Sequence, residues 1–353
     1  MHEAMLYEKL EDNKVRCHLC GHHCIIHDKG MGICQVRYND GGTLYTDTYG
    51  GLIARHVDPI EKKPLYHVLP GSRSYSVATP GCNFRCQWCQ NADISQMPRE
   101  RRYIARETYT PGEVVEEAGR SGCASIAYTY TEPTIFFEFA FDTARLAHQA
   151  GILNVYVSNG FMSSEMLDTF YPYLDAINVD MKGFRDETYR KYVGARLEPV
   201  LDSLRQLKRQ GVWTEVTTLI IPTINDSEEE LRDVAGFIAT ELGTETPWHL
   251  SRFFPSYKMD GIEPTPVATL QRAREIGREA GLRHIYVGNV PDSESESTKC
   301  PQCGAMVVEG RRFGRRLQIH LTDAGACPQC GHHIAGIFGD AQAFVAAKHA
   351  EAE

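Results

Sequence analysis

Three cysteines in the stretch TPGCNFRCQWCQN, Cys82, Cys86 and Cys89, stand at CxxxCxxC spacing directly after a β-rich run. Three thiolates on one short loop can ligate three irons of a cubane [4Fe–4S] cluster and leave the fourth iron without a protein ligand. Such an open iron can chelate a methionine derivative through its amino and carboxylate groups. Electron transfer from the cluster to a sulfonium on that molecule would then release a 5′-deoxyadenosyl radical. The alternative for three thiolates so spaced is a zinc knuckle completed by a distant fourth ligand.

Twelve cysteines in 353 residues are too many for ordinary core thiols, and grouped cysteines in a reducing compartment point to metal binding or catalysis rather than disulfides. Cys300, Cys303, Cys327 and Cys330 form two CPQCG knuckles with the spacing of a zinc ribbon or a rubredoxin-like site. Zinc on four thiolates would staple a module too small for an adequate core, and iron in the same shell is the alternative. Cys17, Cys20, Cys24 and Cys34, with His18, His22 and His23 between and beside them, make a third group. Zinc, an auxiliary iron–sulfur cluster and unmetallated core cysteines are all compatible with its spacing. Cys123 stands alone and reads as a small buried hydrophobe. Between the C-terminal knuckles, RRFGRR (311–316) reads as a solvated hairpin, with phosphate or partner binding as the alternative.

The elements that must position these groups alternate short β-rich runs with longer amphipathic stretches from about Ser74 to Val290, as parallel strands joined by helical crossovers do. Strands are expected at 74–80, 125–132, 153–159, 176–182, 213–222, 247–255 and 283–290. The fold class is α/β, a partial (β/α)6 TIM-like barrel, and the Cys82 loop leaves the first strand at its carboxyl end, where such folds assemble active sites. Residues 1–72 form an N-terminal accessory region whose Gly- and Tyr-rich stretch suits a small sheet. Residues 73–290 form the barrel, the polar run 291–299 reads as a linker, and 300–353 form the zinc-ribbon or rubredoxin-like module and tail. No stretch approaches the apolar length of a membrane span and the N-terminus carries no secretory pattern, so the expectation is a cytoplasmic protein. A formal net charge of -9 speaks against a surface built to grip nucleic acid, though not against a local basic patch.

The Cys82 loop resembles that of the radical S-adenosyl-L-methionine (SAM) superfamily, most closely its pyruvate formate-lyase activating-enzyme branch. CHLCGHHC, DPIEKKPLYHVLPGS, AYTYTEPTIF, VSNGF, NVDMKGF, WHLSRFFPSYKM, YVGNVP and the final CPQC pair together resemble the radical SAM enzymes of the AmmeMemoRadiSam system along nearly the whole chain. The resemblance implies a [4Fe–4S] cluster, SAM, and a one-electron donor such as flavodoxin or ferredoxin. It implies that Thr131, Glu132 and Pro133 keep the last part of a Gly-Gly-Glu-Pro segment that receives the cofactor's ammonium, a reading that a carboxylate at a strand end also supports. A helix cap is the competing role for Glu132. Asn159 and Gly160 end the third strand, where an amide and a permissive turn suit close approach to a polar ligand. Asp180 and Lys182 match the Asp-x-Lys of activating enzymes and imply cofactor carboxylate, ribose or cation contacts, with an internal ion pair as the alternative. Trp88 occupies the position of an aromatic beside the adenine, where simple packing is the alternative. Two departures weaken the transfer. Ser158 replaces an Asp that precedes Thr-Asn-Gly in many activating enzymes, and Phe254 stands near where they carry a His, with His249 and Arg252 close by.

These readings converge on hydrogen-atom abstraction after reductive SAM cleavage, as a modification of a protein, RNA or metabolite with an AmmeMemoRadiSam-system partner. A glycyl radical enzyme activase is the alternative enzyme, and a catalytically inactive zinc-stapled binding protein is the alternative of another class.

Overall fold

The computed structural model describes residues 2–100, 106–290, 294–310 and 317–352. RRFGRR at 311–316 and the first residues of the 291–299 run lie outside them. One sheet of eight strands dominates: β1 Ala54–Pro59, β2 Arg73–Ala78, β3 Ser125–Tyr128, β4 Leu153–Ser158, β5 Ala176–Asp180, β6 Trp213–Ile220, β7 Trp248–Arg252 and β8 Ile285–Gly288, in spatial order β8-β7-β6-β5-β4-β3-β2-β1. Strands β2 to β8 are parallel, and β1 is antiparallel to β2. Six β/α units with a closing strand make this the expected partial barrel of radical SAM type. The central strands read as unbroken apolar runs because helices cover one face and the barrel interior the other. β1 differs: of ARHVDP only Asp58 is buried, Arg55 is half-buried and His56 and Val57 are exposed.

Helices α1 Pro111–Arg120, α2 Phe137–Gln149, α3 Ser164–Phe170, α4 Glu198–Arg209, α5 Glu228–Phe237 and α6 Val267–Glu279 supply the crossovers. Their starts are set by local chemistry. Thr110 and Glu113 form a capping box with Pro111 in the first turn of α1, and the hydroxyls of Ser163 and Ser227 accept from Met166 and Glu230 backbone N–H groups.

The floor of the barrel is closed by chain segments from both ends. Ile60, Leu65, Val68 and Leu69 pack with Leu153, Val155 and Ala176 at the starts of the strands, and Ile337 and Val345 of the C-terminal module join the same cluster. Leu69 N–H donates to Ile337 O at 2.8 Å, and Ile337 N–H donates to His67 O at 2.8 Å. His67 Nδ1–H donates to Ala335 O at 2.7 Å and Nε2 accepts from Tyr286 Oη at 2.7 Å. Glu215 fastens this segment by accepting from the backbone N–H of Tyr66 (3.0 Å) and His67 (2.8 Å) and from His249 Nε2 (2.6 Å). The run leading to Cys300 lies against the barrel, with Ser295 and Thr298 buried and Thr298 Oγ1 2.8 Å from Tyr286 Oη. α7, Ala341–Ala352, lies over β4, and Lys348 reaches Asp175.

The N-terminal region holds two small sheets. Tyr7–Lys9, Val15–Cys17 and Ile25–Ile26 form one, and His2–Glu3, Thr43–Thr46 and Arg37–Asp40 the other. No helix among the described residues is long and apolar enough to cross a membrane.

Candidate functional site

The chain leaves β2 through Thr79 and Pro80 and turns at Gly81, whose φ of +110° and tight fit leave no room for a side chain: a Cβ would lie 3.0 Å from Val36 and 3.1 Å from Ile135. The loop beyond it is pinned at several points. Arg85 N–H donates to Val193 O at 2.8 Å and Gln87 N–H to Tyr192 O at 3.1 Å. Phe84 N–H donates to Cys82 Sγ at 3.3 Å, and Cys89 Sγ lies 3.2 Å from Ser95 Oγ. Cys82, Cys86 and Cys89 all line one pocket of about 530 Å³ at the carboxyl ends of the strands, together with Trp88, Glu132, Asn159, Asp180 and Lys182. Residues drawn from three strand ends and one loop are thus brought together. Gly160 is not among the lining residues. Its φ of +72° and the 2.7 Å from its would-be Cβ to Val179 Cγ1 make it a backbone requirement of the turn.

Glu132 is 1% exposed and its carboxylate is heavily used. Oε1 accepts from Thr134 N–H (3.0 Å), Thr134 Oγ1 (2.6 Å) and Ser158 Oγ (2.7 Å), and Oε2 accepts from Asn159 N–H (2.9 Å). The capping role is therefore present, as the start of a short 3-10 turn at Pro133–Phe136. Burial pushes the carboxyl up from its ordinary value, against the pull of these four donors. Oε2 accepts a single bond and retains a lone pair on the pocket wall. Ser158 serves the buried carboxylate directly, its hydroxyl donating to Glu132 Oε1. Asn159 Nδ2 donates to Asn83 Oδ1 at 2.7 Å and lies 3.8 Å from Cys82 Sγ, tying the end of β4 to the cysteine loop.

Lys182 Nζ donates to Asp180 Oδ2 at 2.9 Å, so the internal ion pair, the alternative to cofactor contacts, forms, and it forms on the pocket wall. Burial alone would lower the ammonium, but Asp180 beside it and the nearby cysteines hold it well above its usual range. Trp88 is buried and its indole N–H has no partner among the described residues, a donor left for a ligand in a pocket it lines. The sequence reading did not single out Lys63. It is 1% exposed, donates to Asp58 Oδ2 at 2.6 Å, lies 4.4 Å from the Tyr130 ring centre and lines the same pocket. Burial draws its ammonium down to about 8. The Pro following it and its place between β1 and β2 were the only signals available. Phe254 is 42% exposed, and His249 is committed to Glu215, so neither lines this pocket. A second cavity of about 660 Å³, which His249 does line, shares Lys62, Pro64, Thr217 and Ser251 with the first.

Sulfur spacing separates the cysteine groups. Tetrahedral zinc with Zn–S of about 2.3 Å places sulfurs about 3.8 Å apart. Cys300 and Cys330 are 3.6 Å apart and Cys303 and Cys327 3.7 Å apart. Among the described residues this quartet is the one group of three or more His, Cys, Asp or Glu whose ligand atoms all lie within 4.8 Å of one another. Cys82, Cys86 and Cys89 are more widely set and face an open pocket, a donor set that suits a cubane with one free iron and not a zinc knuckle. Burial pushes the Cys86 thiol up to about 12 and raises the Cys82 thiol well above its ordinary value, so metal binding must displace protons from this loop.

The fold places three cysteines on one pocket at the carboxyl ends of a partial barrel, and comparison with known proteins identifies the class of fold. The profile described as the Radical SAM superfamily matches residues 76–237. The chain is 46% identical over 334 residues to Uncharacterized protein MJ0808 of Methanocaldococcus jannaschii, covering 95% of this chain and 99% of that one. It is 23% identical over 222 residues to the pyruvate formate-lyase 1-activating enzyme of Escherichia coli (strain K12), covering 58% of this chain and 89% of the relative. Among solved structures, Streptococcus suis SuiB bound to S-adenosylmethionine aligns with a TM-score of 0.49 at 12% identity, over 66% of this chain and 53% of that one. The chain belongs to the radical SAM superfamily and is related to its activating enzymes. Membership implies a [4Fe–4S] cluster and SAM, and the C-terminal quartet is able to bind a metal.

Proposed function

We propose that this protein reductively cleaves SAM and uses the product to abstract a hydrogen atom from a substrate admitted through the adjoining cavity. The observation that carries this reading is the convergence of Cys82, Cys86 and Cys89 with Glu132, Asn159, Asp180 and Lys182 on one pocket. When bound, the cluster supplies one electron to the sulfonium of SAM, giving methionine and a 5′-deoxyadenosyl radical. The three thiolates hold the cluster. Glu132 Oε2 would receive the cofactor's ammonium, Lys182, set in position by Asp180, would answer its carboxylate, and the Trp88 indole N–H would offer a donor to the bound cofactor. Asn159 holds the end of β4 against the cysteine loop, and Gly160 lets the chain turn away behind it. Lys63, Asp58 and Tyr130 close the pocket toward β1 and keep bulk water from the reacting atoms.

The substrate is a protein, RNA or metabolite modified within the AmmeMemoRadiSam system. The alternative, a glycyl radical enzyme activase, draws on the likeness to activating enzymes. The C-terminal module, which we assign as a zinc site at 300–353 docked on a barrel at 73–290, favours the first. The electron donor is a flavodoxin or ferredoxin, and the compartment is the cytoplasm. In the test, anaerobically reconstituted protein is incubated with dithionite and SAM, and 5′-deoxyadenosine is quantified. Wild type should form it. Replacing Cys82, Cys86 and Cys89 together with Ala should abolish both product and pocket cluster. Product at wild-type rates from that triple variant would overturn the proposal.

A further inference from the structure

The N-terminal cysteines take no part in the site above, yet the fold gathers them. Two tight turns do so. His23 N–H donates to Cys20 O at 3.0 Å, with His23 at φ +44°, and Gln35 N–H donates to Gly32 O at 2.9 Å, with Gln35 at φ +63°. Cys17 N–H donates to Cys24 O at 2.9 Å across the small sheet. Cys17, Cys20, Cys24 and Cys34 then line one small cavity of about 20 Å³, with Leu19, His22, Ile26 and Arg37 in the same wall.

Three observations discriminate among possible occupants. A void is already a cost for a core of bare thiols, because its lining has lost contacts on one side. The cavity admits the centre of a water-sized sphere, which the middle of a zinc tetrathiolate, with sulfur about 2.3 Å from the centre, does not. The same fold contracts the C-terminal quartet to zinc spacing and leaves these four wider, outside the 4.8 Å limit that the C-terminal group meets. Arg37, 1% exposed, points Nη1 at Cys17 Sγ from 3.4 Å and is paired with buried Glu138. A cation aimed at a sulfur in an otherwise apolar wall suits a site that carries net negative charge once the thiols are deprotonated.

We propose that Cys17, Cys20, Cys24 and Cys34 hold a second iron–sulfur cluster, fully ligated by protein. The site lies against the first one. His22 Nε2–H donates to Asn83 O at 2.9 Å, next to Cys82, and Ile135, three residues beyond Glu132, forms part of the cavity wall.

The experiment loads full-length protein with ferrous iron and sulfide under anaerobic conditions and measures acid-labile sulfide per chain. The C-terminal quartet contributes no sulfide whether it holds zinc or a single iron. The triple variant Cys82→Ala, Cys86→Ala, Cys89→Ala should keep about four sulfides per chain, roughly half the wild-type content. Adding Cys20→Ala and Cys24→Ala should remove the rest. A second measurement needs no substitution: adding SAM to the wild type should alter the Mössbauer signal of about one cluster iron in eight, the open iron of the barrel cluster, and leave the iron of the second cluster unchanged. Sulfide absent from the triple variant, zinc retained by it at Cys20 and Cys24, or a wild-type spectrum that responds to SAM throughout would each overturn the proposal while leaving the SAM pocket intact. A triple variant with undiminished sulfide would instead overturn the assignment of the barrel cluster.

Discussion

Glu132→Gln separates the chemistry of the pocket from its mere shape. The carboxylate accepts three donors at Oε1 and one at Oε2, all buried. An amide of the same shape must place its NH2 group at one of these two positions. At Oε1 it would face Thr134 N–H and two hydroxyls; at Oε2 it faces Asn159 N–H alone, so the second orientation wins. One charge-assisted bond is then lost and a buried backbone N–H is left without an acceptor, a cost of about 1.5–3 kcal/mol. The loss falls on Asn159, whose side chain braces Asn83 beside Cys82. It also removes the negative charge that would receive the cofactor's ammonium, which is worth a similar amount, or roughly a ten- to hundred-fold loss of SAM affinity. Equilibrium binding of SAM to reconstituted protein and thermal unfolding of the cluster-free protein should therefore both change, the latter by a few degrees. Iron content should survive. Lower thermal stability with unchanged SAM affinity would reduce Glu132 to a cap; no change in either would refute the reasoning about its buried donors.

Two further outcomes follow from the floor of the barrel. Burial alone would raise the Glu215 carboxyl, but the His249 N–H and the backbone N–H groups it receives outweigh that and hold it at about 2. A carboxyl depressed below its unfolded value near 4.3 stabilises the fold above that pH and loses its contribution as pH falls toward 2, on the order of 3 kcal/mol in all. Acid titration of the cluster-free protein should show this loss between about pH 4.5 and 2, and Glu215→Gln should flatten it. Deleting residues 300–353 strips Ile337 and Val345 from Leu153, Val155 and Ala176, a loss of about 3–6 kcal/mol for the two side chains. The shortened chain should unfold at lower temperature and bind a hydrophobic dye; an unchanged unfolding midpoint would show that the floor is self-sufficient.

The parallel strands were legible because each is a short apolar run closed by Pro, Gly or Asn, and the cysteine loop was legible because its spacing is chemical rather than conformational. β1 was not: ARHVDP is half polar, since one face meets solvent, and nothing local says that it adds antiparallel to the barrel. PDSESESTK has the composition of a tether, yet Ser295 and Thr298 are buried, Thr298 against Tyr286 of the last barrel strand. Glu132 and the Asp180–Lys182 pair were each read with two competing roles, and in both cases one geometry contains the bland role and the pocket position together. Lys63 was hidden because a lysine acquires meaning only when Asp58 and Tyr130 fold around it.

The bond between His67 and Ile337 also has a meaning in time. On the ribosome, β4 and β5 emerge with Leu153, Val155 and Ala176 facing a floor whose last covering residues have not yet been made. At ordinary rates of synthesis roughly ten to thirty seconds separate Ala176 from Ile337. Throughout that interval the nascent barrel is an open cup with an apolar base, so closure of the floor waits for Ile337 and Val345 rather than for the appearance of the strands. A chain cut short by a stalled ribosome would expose this apolar base and present it to chaperones and proteases.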